Sequence, residues 1–103
     1  MVNEALRLIR IFHDLKAKEL AEKLSISQSY LSEIENNKKT PSLELINKYS
    51  EVFNLKPSTI LFFSEQYDNL NLHGKEKFKS NIKKSVRKKI IFLLQSIENG
   101  QYY

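Results

Sequence analysis

Apolar residues recur three and four positions apart along almost the whole chain, and two glycines and two prolines in 103 residues leave little to interrupt them. That period stacks side chains on one face of a helix, whereas a half-buried strand needs strict alternation, and no stretch alternates convincingly. The chain is therefore expected to be all-α. At 103 residues it can build one modest core plus an appended element, not two independent cores.

The first helix is expected from about Asn3 to His13, with Leu6, Leu8, Ile9, Ile11 and Phe12 covering so much of its surface that it must be central. A second, Ala17 to Leu24, gathers Leu20, Ala21 and Leu24 on one face and leaves Lys18, Glu19, Glu22 and Lys23 outside. Ser27 is a good N-cap for a third, Gln28 to Asn36, where Leu31 and Ile34 point inward and Gln28, Ser29, Ser32, Glu33 and Asn36 outward. Asn37 suits a left-handed stop, and Ser42 caps a fourth helix running to about Phe53, with Ile46, Tyr49, Val52 and Phe53 as its buried stripe. After a stop at Asn54, Pro57 opens a fifth helix to about Phe63 that carries Ile60, Leu61 and Phe62 inward.

Residues 1–63 thus form the expected compact domain and the polar residues 64–74 a linker. A sixth, amphipathic helix follows over 75–103, with Phe78, Ile82, Val86, Ile90, Leu93 and Ile97 on one side and Lys83, Lys84, Arg87 and Lys88 on the other. The run from Ile90 through Leu94 makes it apolar on more than one side, so it needs covering from more than one direction.

Charge is unevenly placed. Residues 1–72 hold nine Lys or Arg against ten Asp or Glu, whereas residues 73–103 hold eight against two, so the net +5 belongs to the tail. Cysteine is absent, which excludes disulfides and thiolate metal sites, and His13 and His73 are read as a helix-end and a linker residue with no assigned function. No glycine-rich phosphate loop, cysteine nucleophile or serine–histidine–acid grouping is evident, so neither enzyme activity nor a cofactor or metal is expected. The apolar runs are too short to span a membrane and Met1 to Glu4 do not resemble a secretory leader, so the expected place is the cytoplasm.

Two short helices joined by three residues, with small Ala21 where they cross and Leu20, Ile26, Leu31 and Ile34 between them, form a helix-turn-helix. The string Leu20-Ala21-Glu22-Lys23-Leu24-Ser25-Ile26-Ser27-Gln28-Ser29-Tyr30-Leu31-Ser32-Glu33-Ile34-Glu35 resembles the Cro and phage-repressor (XRE-type) family. The likeness continues through Asn36 to Leu43 and Leu55 to Ser58, spanning about residues 5–62.

That resemblance implies a five-helix, lambda-repressor-like domain and a homodimer placing the third helix of each subunit in successive major grooves of double-stranded DNA. Gln28, Ser29, Ser32 and Glu33 would then lie near base edges; Gln28 has the amide geometry for adenine, and Glu33 could accept only from a cytosine amino group. Ser27, Asn36, Lys38, Lys39 and Ser42 would contact phosphates. The family often pairs an arginine of helix one with a glutamate late in the recognition helix, places held here by Arg10 and Glu35. Ala17 replaces the family's usual glutamine, leaving one phosphate contact without its side chain, and Ser25 and Asn37 replace its usual glycines. In a standard turn Ser25 must adopt positive φ, at a cost of roughly 1 kcal/mol against glycine.

The leading expectation is a homodimeric repressor at a palindromic operator. The alternative is a protein-interaction module, such as the antitoxin of a toxin–antitoxin pair, that binds DNA secondarily. For the sixth helix three roles stay open: a dimer element through Phe78, Ile82, Val86, Ile90, Leu93, Leu94 and Ile97, a second DNA contact, or a solvated face. Dimerisation leads, and a protein partner on the same helix is the rival.

Overall fold

The computed structural model describes residues 2–69 together with Gln95, Glu98 and Asn99. Apart from those three residues, the expected sixth helix, with all seven of its dimerisation residues, lies outside the described residues. Five helices follow in order: α1 (Val2–Phe12), α2 (Ala17–Leu24), α3 (Gln28–Glu35), α4 (Leu43–Phe53) and α5 (Pro57–Asn69), with no strand among the described residues.

Helix α1 is the centre. Ala5, Leu6, Leu8, Ile9 and Phe12 are buried, and the helix packs against both α5 and α3, while α2 packs on α3 and α4. Leu20, Ala21, Leu24, Leu31 and Ile34 close the layer between α2 and α3, and Leu45, Ile46 and Tyr49 bring in α4. Phe12 meets Phe63 edge to face at 6.4 Å between ring centroids, which fastens α1 to α5.

Two expectations need correcting at α5. The helix does not stop near Phe63 but runs to Asn69, so residues 64–69 are helical rather than linker. Its inward stripe is Ile60, Phe63, Ser64 and Tyr67, spaced three and four apart, and the last two keep the helix in register against the core for another turn. Leu61 sits about 100° around the helix from Ile60 and is half exposed instead of buried. In α4 likewise, Leu45 is buried where Val52 and Phe53 are only partly so.

The helices start by side-chain capping. The Ser27 hydroxyl accepts from the Tyr30 amide at 3.0 Å, the Ser42 hydroxyl from the Leu45 amide at 3.1 Å, and at α2 the Glu19 carboxylate accepts from the Lys16 amide at 2.7 Å. At the fifth helix the cap comes from far along the chain: Glu98 accepts from the Lys56 amide at 2.8 Å and the Thr59 hydroxyl at 2.9 Å. The Lys56 N–H, and after it the Thr59 hydroxyl, hold the Glu98 carboxyl below the usual carboxylate range.

Helices α1 to α4 all end the same way. Asp14, Ser25, Asn37 and Asn54 adopt φ of 56°, 59°, 62° and 54°, the left-handed region, without a glycine among them. The next residue's amide then reaches back five positions: Leu15 to Arg10 at 3.2 Å, Ile26 to Ala21 at 3.0 Å, Lys38 to Glu33 at 2.8 Å and Leu55 to Ser50 at 3.0 Å. Each bond caps a carbonyl of the helix's last turn, where intrahelical donors run out. After three of these turns the chain is pinned by an apolar side chain, Leu15, Ile26 or Leu55, packed into the core. After α3 that position is Lys38, which is exposed.

Candidate nucleic-acid interface

The short turn Ser25-Ile26-Ser27 sets α3 against α2. Ser25 takes the left-handed conformation with ψ 43°, Ile26 packs inward and Ser27 caps, so three residues reverse the chain and start the next helix. Leu31 and Ile34 bury the inner face of α3, which leaves Gln28, Ser29 and Ser32 exposed along the outer one.

The last turn of α3 is anchored. Arg10 grips Glu35 with two parallel bonds, Nε to Oε2 at 2.7 Å and a terminal guanidinium nitrogen to Oε1 at 2.9 Å, and gives a third to the Leu15 carbonyl at 2.9 Å. Only 14% of the Arg10 side chain and 8% of the Glu35 side chain are exposed, so the pair is largely withdrawn from water and bidentate, which favours it over a surface pair. Asn3, buried in the first turn of α1, donates from Nδ2 to the Ile34 and Lys39 carbonyls, both at 2.8 Å.

The remaining candidate residues fall into four groups. Ser27 and Ser42 spend their hydroxyls on caps at the N-termini of α3 and α4. Asn36 folds back and donates to both the Ser32 carbonyl at 2.9 Å and the Ser32 hydroxyl at 3.1 Å. Glu33 and Lys39, one assigned to base edges and the other to phosphate, meet each other at 3.3 Å, and the Lys39 ammonium also stands 5.7 Å from the centre of the Tyr30 ring. Lys38 is exposed.

Asn3 and Tyr30 were not singled out from the sequence. Asn3 lies three residues before Leu6 and seven before Arg10, on the stripe of α1 that faces inward, so its spacing carried a signal that its polar side chain masked.

The family model described as Helix-turn-helix matches residues 6–60. The chain belongs to the XRE-type, Cro and phage-repressor-like helix-turn-helix family. It is an all-α, DNA-binding helix-turn-helix protein with a lambda-repressor-like domain. Searches of curated proteins and of solved structures return no match. Among the described residues no helix is long and apolar enough to cross a membrane, and no group of His, Cys, Asp and Glu could hold a metal ion.

Proposed function

We propose that this helix-turn-helix protein is a homodimeric transcriptional repressor that reads a palindromic operator in the cytoplasm with α3 in the major groove. The observation that carries the reading is the outer face of α3: Gln28, Ser29 and Ser32 are exposed on a helix whose other end is fixed by Arg10 and Asn3. Gln28 and Ser29 touch base edges from the helix start, Ser32 and Glu33 follow one turn later, and Glu33 must exchange Lys39 for a cytosine amino group. Ser27, Asn36, Lys38, Lys39 and Ser42 fix the register on phosphates.

Two chains set their recognition helices roughly 34 Å apart, one turn of DNA, and the apolar stripe Phe78, Ile82, Val86, Ile90, Leu93, Leu94 and Ile97 joins them. The two loop lysines of each chain would together neutralise four phosphates, so log affinity should fall against log salt with a slope of about −4.

The deciding experiment measures affinity against salt on sites selected from a random library and on a scrambled control, with the stoichiometry of each complex. A palindromic site favoured by roughly 10³ or more and bound by two chains upholds the reading. Equal affinity for both DNAs overturns it, and a stoichiometric protein partner found on the full chain would then favour the antitoxin-like module.

A further inference from the structure

We infer that Asn3 is a positioning residue for DNA binding, holding the phosphate-contacting loop after α3 in place from the first turn of α1. The inference rests on the reading that Lys38 and Lys39 meet phosphate, and extends it to a residue outside the helix-turn-helix.

The four left-handed exits supply the argument. At three of them an apolar residue, Leu15, Ile26 or Leu55, follows the left-handed one and locks the departing chain onto the core. The exit from the recognition helix cannot use that latch, because its equivalent residue is Lys38 and its ammonium must stay in water to serve a polyanion. The loop from Asn36 to Thr40 is exposed throughout, so packing does not hold it.

Asn3 fills the gap from the other side. Its amide donates 2.8 Å bonds to the Ile34 carbonyl, in the last turn of α3, and to the Lys39 carbonyl, in the loop itself. One buried side chain therefore spans the exit, five residues wide, and fixes the loop backbone relative to the helix that reads the bases. Asn3 is only 2% exposed, so on substitution the Ile34 and Lys39 carbonyls would both lose their donor, and at the buried Ile34 carbonyl water does not readily make the loss good. An amide is the chemistry required, since a single NH2 group has the two hydrogens that two carbonyls need.

The test uses the full chain carrying Asn3→Leu, which keeps the branched outline of the side chain and removes both donors. Without DNA, the Lys38 and Lys39 amides, which donate to the Glu33 carbonyl at 2.8 and 3.3 Å, should exchange with solvent at least tenfold faster, while amides of α1 and α5 keep their order. With DNA, the folded variant should bind the selected site about tenfold more weakly, with a salt slope shallower by 1 to 2, yet discriminate single-base changes opposite Gln28 as the parent does. In a Lys38→Ala, Lys39→Ala background the same change should cost no further affinity, which a general loss of stability would not produce. If Asn3→Leu fails to fold, Asn3→Ser, whose hydroxyl can serve one carbonyl at most, is read in the same way and should show intermediate losses. Unchanged exchange in the loop, or a wild-type salt slope in a folded variant, overturns the inference. A parent chain that does not prefer its selected site overturns the DNA reading alone, because loop exchange is measured without DNA.

Discussion

In its first turn α3 carries Gln28 and Ser29, both exposed and neither bonded to another side chain among the described residues. Its last turn is held by Arg10 on Glu35, Asn3 on the Ile34 carbonyl and Asn36 on the Ser32 carbonyl. A recognition element has to satisfy two demands that conflict within one side chain: its reading groups must be free to pair with a ligand, and its axis must already stand where the ligand requires. Dividing the helix resolves the conflict. The first turn, proposed to meet base edges first, has no side-chain partner among the described residues, and the last turn is fixed, so the ordering is completed at folding rather than at binding.

The largest effect expected from this division is at the anchored end. Glu35→Ala should lower the unfolding free energy by about 3 kcal/mol, because it leaves the Arg10 guanidinium largely buried without its counter-charge. A urea titration reads this as a shifted midpoint with unchanged slope. A loss under about 1 kcal/mol would mean the pair is no better than a surface one, and the contrast between the two ends would collapse.

Gln28→Ala should give the complementary pattern. Stability should change by less than about 0.5 kcal/mol, since Gln28 is exposed and bonds no other side chain among the described residues. Affinity for the selected site should fall by about 2 kcal/mol while affinity for scrambled DNA holds. Equal losses on the two DNAs would turn Gln28 into a phosphate contact and move the reading elsewhere on α3.

Tyr49 sharpens the account of what the anchored end gains from its polar groups. Its ring is fully buried, and its hydroxyl finds no hydrogen-bond partner among the described residues. Burial, and then the negative charge of Glu35, push the phenol well above its ordinary value. Tyr49→Phe should therefore raise stability by about 1 kcal/mol. The sign with pH follows: above about 10 the unfolded phenol loses its proton and the folded one keeps it, so this group's contribution is present below that pH and lost as pH rises. Between pH 7 and 11 the Phe variant should lose less of its urea midpoint than the parent.

Much of this was legible in the sequence, and the parts that were not share a physical cause. The 3.6 period gave α1 to α4 nearly to the residue, and Ser27 and Ser42 marked two helix starts because a hydroxyl before an apolar-periodic run has a definite task there. Asn37 and Asn54 were readable as stops, whereas Asp14 was not, since an aspartate in the left-handed region looks like any surface aspartate. The end of α5 was missed because Ser64, Glu65 and Gln66 read as polar linker, while Tyr67, one helical turn beyond Phe63, decides the matter by packing. At the candidate interface, the helix and its outward face followed from spacing. Partners did not: that Glu33 would take Lys39, and Asn36 Ser32, depends on where a loop returns, which no local period encodes.

The Glu33–Lys39 pair supplies the smallest effect and the finest test of the boundary between the two halves. Glu33 is the sixth of the eight residues of α3, in its last turn, and 42% of its side chain and 54% of that of Lys39 are exposed, so the pair should contribute only a few tenths of a kcal/mol to stability. Glu33→Gln should accordingly leave the urea midpoint almost unmoved. Its effect on DNA is a contest of two terms. Removing the carboxylate frees the Lys39 ammonium for phosphate and removes a like charge facing the duplex, which should strengthen binding to scrambled DNA a few-fold and steepen the salt slope. On the selected site the same change replaces a charged acceptor for a cytosine amino group with a weaker, neutral amide oxygen, so the gain there should be smaller or reversed. A uniform gain on both DNAs would place Glu33 with the anchoring half, as a brake on Lys39, and confine base reading to Gln28, Ser29 and Ser32. A gain on scrambled DNA with a loss on the selected site would extend base reading into the last turn of the helix.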